Sequence, residues 1–155
     1  LESVKETIII DIATGDPIVP GSIDYQYKCL FSGKTLHFQA YNFETILAEK
    51  LQTVLARGVL NGRSKDFFDI YLIHSLRWEE IDRRVLKEAF SATCAYRHTL
   101  FSNAEAKAIL RRVEDDLEMS RRWESYRRKN KFVGDVAFRE TIEAALLVLK
   151  EACPS

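Results

Sequence analysis

The hydrophobic period of the chain changes within residues 36–58, LHFQAYNFETILAEKLQTVLARG. At the start of this stretch Leu36, Phe38 and Ala40 alternate with polar residues, which is typical of a half-buried strand. After Tyr41 the apolar residues recur with helical spacing, at positions 43, 46, 47, 51 and 54. The stretch therefore predicts an α+β fold in which strands precede helices.

The residues before this change of period predict three strands. The isoleucines at positions 8, 9, 10 and 12 are typical of a strand that is buried on both faces, over about residues 7–12. A turn is expected at Gly15-Asp16-Pro17. Two alternating segments, 25–31 and 36–40, then flank Ser32-Gly33-Lys34, which favours a hairpin.

The residues after the change predict six helices. Asn42 is expected to cap the first, over 43–57, and Gly58 to end it. Ser64 is expected to cap the second, which continues to about Leu76. Four more are predicted over 78–92, 104–119, 120–130 and 135–151. We expect two regions: residues 1–76, with the strands and the first two helices, and a helical domain over 77–155.

Composition excludes several classes of protein. The chain has 23 acidic and 23 basic residues, so its net charge gives no indication of a nucleic-acid partner. No apolar run is long enough to span a bilayer, and no secretory signal pattern is found. Cys29, Cys94 and Cys153 are scattered, which favours reduced thiols and a cytoplasmic location. Motifs of P-loop proteins, zinc proteases and nucleophile-elbow hydrolases are lacking from the sequence.

Lys50 is unusual because it falls near the middle of the apolar face of the first helix. A lysine directed towards a protein core must reach solvent, pair with a carboxylate or face a polar cavity. It would serve as a point charge in a phosphate-binding pocket. A salt bridge with a buried carboxylate explains it equally well.

Asp66 and Asp69 are also unusual, because they share a face in the first turns of an almost wholly apolar helix. Asp66 alone could simply interact with the positive helix N-terminus. Asp69 lies deeper, so we expect the pair to meet a cation, either Lys50 or a metal ion.

Two further features are open to a functional or a structural interpretation. Asp11, within the isoleucine run, could bind Mg²⁺ or could be an aspartate at the end of a strand. Residues 121–131, RRWESYRRKNK, could bind RNA through Arg121, Arg122, Arg127 and Arg128 and stack on a base. More often a charge run of this kind forms a solvated helix face with its two aromatic rings packed inward.

Three features follow one another along the chain. They are Asp11 before the turn at 15–17, NFETILAEKL over 42–51, and Arg-x-Lys-Asp-x-x-Asp over 63–69. Together they resemble the AbiEii/AbiGii family, bacterial nucleotidyltransferase toxins of type IV toxin–antitoxin and abortive-infection systems. The resemblance covers about residues 4–76 and extends to the rest of the chain only in general character. It implies the C-terminal part of a polymerase-β-like nucleotidyltransferase core, with strands and hairpin, followed by a helical bundle.

The resemblance also implies roles for the unusual residues of the two helices. Lys50 would contact the nucleotide phosphates, and Arg63 and Lys65 would add positive charge near them. Asp66, and with it Asp69, would orient the lysine or take part in catalysis.

The resemblance also implies a metal cofactor, two substrates and a protein partner. Asp11 would be one ligand of a metal set that holds Mg²⁺. The substrates would be an NTP and an RNA acceptor, for which the family's known acceptors favour tRNA. A cognate antitoxin would be the protein partner.

Part of the family's pattern is not found in these residues, namely a Gly-Ser or Gly-Thr that is followed roughly ten residues later by an Asp-x-Asp pair. We expect both upstream of Leu1, so that the chain is a fragment that is inactive by itself. The alternative is a non-catalytic helical module that binds RNA or an antitoxin. A third interpretation is a structural helical domain with an accidental motif match.

Overall fold

The computed structural model describes residues 15–153, in which a two-stranded antiparallel hairpin is followed by six α-helices. The strands are β1 (Ile23–Lys28) and β2 (Thr35–Ala40). The helices are α1 (Phe43–Arg57), α2 (Ser64–Arg77), α3 (Arg83–Tyr96), α4 (Asn103–Asp115), α5 (Leu117–Lys129) and α6 (Phe138–Ala152). The predicted α+β class is confirmed. The strand predicted over 7–12 lies outside the described residues.

The hairpin has one apolar face and one polar face, as the alternation predicts. Tyr25 pairs with Phe38, and Ile23 and Tyr27 pair with Ala40 and Leu36. The turn is closed by a hydrogen bond that the Cys29 amide donates to the Lys34 carbonyl, at 2.9 Å. The first strand is shorter than expected, because residues 29–31 belong to the turn.

The predicted bounds of α1 are confirmed at both ends. The Asn42 side chain accepts a hydrogen bond from the Thr45 amide at 2.8 Å, which satisfies one of the free amides of the first turn. The helix ends at Gly58, whose φ of 50° is unfavourable for other residues. Leu47, Leu51 and Val54 are fully buried, so α1 presents the predicted apolar face to the core.

Several predicted helix bounds differ from the observed ones. The boundary between α4 and α5, predicted at 119/120, lies at Asp116, and α6 starts at Phe138 instead of residue 135. Ser64 is the first residue of α2, not its cap, and Arg63 occupies the cap position without a side-chain hydrogen bond. The helix predicted to start at residue 78 starts at Arg83, because the Asp82 carboxylate accepts from the amides of Arg84 and Val85. Residues 78–80 form a 3₁₀ turn instead.

One hydrophobic core lies between the helices, where α2 packs on α6 and α1 packs on α3. Its largest fully buried side chains are Trp123, Phe67 and Leu47. This core includes residues from both sides of the 76/77 boundary, and the division into two regions stays a prediction. None of the helices in residues 15–153 has the length and apolarity that a bilayer crossing requires.

Candidate functional site

The Lys50 side chain lies between the two carboxylates of α2. Its Nζ is 2.8 Å from Asp66 Oδ1 and 2.8 Å from Asp69 Oδ2, while the side chain is only 19% exposed. The prediction that Lys50 lies within ion-pair reach of these residues is confirmed. Helical periodicity explains this contact, because it places Lys50 on the side of α1 that packs against α2.

Asp66 is the buried anchor of this arrangement. Its side chain is 1% exposed, and a carboxylate so removed from water requires compensation by opposite charge. Lys50 provides that charge at one oxygen, and Arg63 Nε lies 3.1 Å from the other. The arginine contact is ionic only, because Asp66 Oδ2 accepts no hydrogen bond among the described residues.

Asp69 is the more accessible carboxylate, with 19% of its side chain exposed. It pairs with Lys50 and also with Lys65, whose Nζ lies 2.8 Å from Asp69 Oδ2. Lys50, Asp66, Asp69, Arg63 and Lys65 together form what we call the Lys50 cluster. It holds three cations and two carboxylates, and the resulting excess of positive charge suits the binding of an anion.

Lys50 is protonated at neutral pH. Burial lowers the pKa of this lysine, but hydrogen bonds and charges from Asp66 and Asp69 outweigh burial and raise the pKa above its ordinary value. The side chain therefore acts as a fixed positive charge and not as a base.

Tyr126 of α5 lies close to the cluster, although the sequence did not identify it as a site residue. Its ring packs on Phe68, which lies between the two aspartates in α2, with centroids 6.4 Å apart. Burial raises the pKa of Tyr126, and the negative charge of Asp69 raises it further. The tyrosine thus lies within electrostatic reach of the cluster, and an aromatic residue in a basic helix was the only signal for it.

A second polar network adjoins Lys50 on α1. Arg97 Nη2 lies 3.2 Å from Asp16 Oδ1, and its Nη1 donates to Gln52 Oε1 at 2.8 Å and to Thr53 Oγ1 at 3.0 Å. Glu49 is close by, and its buried Oε1 has no hydrogen-bond partner among residues 15–153. Burial and the charge of Asp16 raise the pKa of Glu49, while Arg97 and Lys50 oppose this rise.

Replacing Glu49 with glutamine is expected to stabilise the protein at neutral pH, because burial penalises the charged carboxylate and does not penalise the neutral amide in this way. With a raised pKa, folded Glu49 binds protons more tightly than the unfolded chain does. The stability of the wild type therefore falls as pH rises from the ordinary value of 4.5 through the folded pKa. Urea unfolding across this range should give an advantage for Glu49→Gln that grows with pH and then levels off.

The control for this prediction is Glu88→Gln, which neutralises an exposed carboxylate on α3. Its effect on stability should be small at every pH. A difference between Glu49→Gln and the wild type that does not vary with pH would contradict the prediction.

The described residues do not by themselves fit a metal ion. Within residues 15–153 no group of three or more His, Cys, Asp or Glu side chains is placed to hold one. Both carboxylates of the cluster are already neutralised by cations at 2.8 to 3.1 Å. Asp11, the predicted metal ligand, lies outside the described residues.

The basic residues of α5 form a solvated helix face. Arg121, Arg122 and Arg127 pair with glutamates one turn earlier in the helix. Trp123 is fully buried and donates from Nε1 to the Val136 carbonyl at 3.0 Å, so its ring has no free face for a base. The inward packing of Trp123 is thus confirmed, whereas RNA contact by the arginines stays a prediction.

Comparison with known proteins identifies the family. The model of the nucleotidyl transferase AbiEii toxin, type IV TA system, matches residues 1–146 of the 155. No curated protein and no solved structure matches the chain. Because the match covers far more than half of the sequence, the chain belongs to the AbiEii family of nucleotidyltransferase toxins, which implies an antitoxin partner.

Proposed function

We propose that this chain forms part of an enzyme that transfers a nucleoside monophosphate from an NTP to a hydroxyl of RNA, with tRNA as the favoured acceptor. The RNA oxygen bonds to the α-phosphorus as the bond to the β-phosphate breaks, and pyrophosphate and the hydroxyl proton are released. The main support is the position of Lys50 Nζ, 2.8 Å from an oxygen of each aspartate. A charge held in one place by a buried carboxylate is already oriented for a phosphate, so binding costs little reorganisation. Membership of the AbiEii family supports the reaction class.

The two aspartates have different tasks in this proposal. Asp66 is 1% exposed and keeps Lys50 oriented whether or not a nucleotide is bound. Asp69 is more exposed and has a second cation, Lys65, at 2.8 Å. A phosphate oxygen displaces Asp69 from Lys50, while Lys65 continues to neutralise the released carboxylate. The exchange therefore leaves no carboxylate unpaired.

The cations of the cluster stabilise the reaction electrostatically. Negative charge on the transferring phosphoryl group is stabilised by positive groups that are fixed before the reaction starts. Of the three cations in the cluster, Lys50 is the one that is held in a fixed position. Arg63 and Lys65 are 56% and 64% exposed, so their charged ends lie at the rim and contribute to attracting the NTP.

Mg²⁺ is the cofactor that we propose, because enzymes of phosphoryl transfer commonly use it to neutralise phosphate charge. Asp11 is its proposed ligand, since carboxylate oxygens suit this ion. This part of the proposal rests on the family resemblance, and the roles of the lysine and the aspartates do not depend on it.

The proposed RNA contacts are Arg121, Arg122, Arg127 and Arg128 of α5. They lie on the helix that also carries Tyr126, which is close to the Lys50 cluster. An acceptor whose backbone follows α5 would therefore bring its end towards the proposed phosphate site.

The proposal is tested by incubating the full-length protein with an α-labelled NTP, Mg²⁺ and tRNA and measuring the label in the RNA. Lys50→Met is expected to lower the rate of transfer by about a hundredfold or more. Lys107→Met removes the same charge from an exposed position on α4 and should transfer at the wild-type rate. A wild type that labels no RNA with any of the common NTPs would contradict the proposal. RNA binding without transfer would favour the non-catalytic binding module.

A further inference from the structure

An aromatic cluster extends from the Lys50 cluster to the surface of the molecule. At its centre is Phe68, which is 5% exposed and lies between Asp66 and Asp69 in sequence but on a different face of α2. Four rings surround it at centroid distances of 5.7 to 6.4 Å, those of Tyr71, Trp123, Tyr126 and Phe132. Phe132 differs from the others because 70% of it is exposed, although it lies nearest to Phe68.

The exposed ring is held by a tightly constrained backbone. Phe132 is the middle residue of a 3₁₀ turn, Lys131–Val133, that directly follows α5. Val133 is 2% exposed and its amide donates to the Asn130 carbonyl at 2.9 Å, which fixes the turn against the core. The Phe132 ring contacts that of Phe68 at a tilt of 52°, and most of its remaining surface is open to solvent. A ring that already packs on a buried neighbour loses less conformational entropy on stacking than a ring without such a contact.

The cations that lie close to Phe132 in sequence indicate which flat ligand it fits. Among the described residues, the ion pairs of α5 involve Arg121, Arg122 and Arg127. The exposed residues Arg128, Lys129 and Lys131 take part in none of them; the first two precede the turn and Lys131 is its first residue. An exposed aromatic ring with such cations close in sequence suits a base that is attached to phosphates.

We propose that Phe132 is a stacking platform for a nucleobase of a substrate that also occupies the Lys50 cluster. The inference rests on the proposed function, because it takes the Lys50 cluster as the phosphate site. The base belongs either to the RNA acceptor or to the NTP, and both would stack in the same way. Tyr126 links the aromatic cluster to the Lys50 cluster. Its ring contacts that of Phe68, and its hydroxyl is influenced by the charges of the Lys50 cluster.

The experiment compares Phe132→Leu, Phe132→Trp and the wild type in the full-length protein. Leucine keeps an apolar cover over Phe68 but has no aromatic face, whereas tryptophan keeps one. Binding of a short labelled single-stranded RNA is measured by fluorescence anisotropy, and binding of ATP by calorimetry. We expect Phe132→Leu to lower the affinity for either the RNA or ATP by roughly tenfold. Phe132→Trp should bind that same ligand about as tightly as the wild type does. Phe31→Leu, at a fully exposed phenylalanine of the hairpin turn, is the matched control and should change neither.

Salt dependence separates stacking from charge. Phe132→Leu should leave the slope of log affinity against log salt concentration unchanged. Lys129→Met should reduce the magnitude of that slope by about one, because one phosphate contact is lost. Loss confined to RNA assigns the base to the acceptor, and loss confined to ATP assigns it to the incoming nucleotide. Equal affinities of Phe132→Leu and wild type for both ligands would overturn the inference, even if the transfer assay succeeds. An effect of Phe132→Leu on binding in a protein without transfer would refute the proposed function alone.

Discussion

Replacing Lys50 with methionine is expected to lower the free energy of unfolding by about 3 kcal/mol. The substitution leaves Asp66, 1% exposed, with its charge buried and only the ionic contact of Arg63 nearby. Removing one partner of a buried ion pair is costly because the remaining charge keeps its desolvation penalty. Urea unfolding followed by circular dichroism measures the loss.

Lys65→Met is the matched control for this prediction. Lys65 Nζ is also 2.8 Å from its carboxylate partner, but the side chain is 64% exposed. An exposed pair of this kind contributes about 1 kcal/mol or less. The double variant Lys50→Met with Asp66→Asn should recover part of the lost stability, because it removes the buried charge. Equal losses for the Lys50 and Lys65 single variants would refute the role of burial.

Replacing Trp123 with alanine is expected to cost about 4 kcal/mol of unfolding free energy. Trp123 is fully buried, and its ring contacts those of Phe68, Tyr126 and Phe138 at centroid distances of 5.7 to 6.4 Å. The substitution opens a cavity where α5 packs and also deprives the Val136 carbonyl of its hydrogen bond. The loss is measured by urea unfolding.

The same helix provides the comparison for Trp123. Leu117→Ala removes an apolar side chain that is 75% exposed, and we expect a change within about 0.5 kcal/mol. Trp123→Phe keeps an aromatic ring in the core and should cost clearly less than alanine. If Trp123→Ala were no more costly than Leu117→Ala, α5 would not pack as described.

Local sequence patterns were sufficient to predict α1 and its contact with the aspartates of α2. The cap at Asn42 and the end at Gly58 depend on neighbouring residues, and the position of Lys50 on the apolar face follows from helical periodicity. A buried lysine requires a carboxylate, and the two aspartates of α2 were the obvious candidates. The hairpin was predictable for the same reason, since alternation and the Ser-Gly-Lys turn are local.

Contacts between residues far apart in sequence were not predictable. The Asp16–Arg97 pair joins residues 81 positions apart, and its partners in α1 bear no special pattern. Glu44 accepts a hydrogen bond from the Asp82 amide, 38 positions away, at the start of α3. The start of α3 was predicted too early, because residues 78–80 form a 3₁₀ turn and the helix begins only after the Asp82 cap. Local helix propensity does not distinguish this turn from a first turn of α-helix.

Phe132 was also beyond prediction from sequence. An isolated phenylalanine after a basic helix does not show whether its ring is buried, whereas the structure leaves Phe132 70% exposed and in contact with Phe68. Tyr126 acquires its place beside the Lys50 cluster from the packing of α5 on α2.

Binding of an NTP to the Lys50 variant tests the central claim most directly, namely that the Lys50 cluster holds a triphosphate. Calorimetric titration of the full-length protein should give an affinity for Lys50→Met at least about tenfold below that of the wild type. Lys107→Met, which loses an exposed charge on α4, should bind as the wild type does. Folding of each variant is verified by circular dichroism under the same conditions. If folded Lys50→Met binds the NTP as tightly as the wild type, the cluster is a structural ion pair and not a phosphate site.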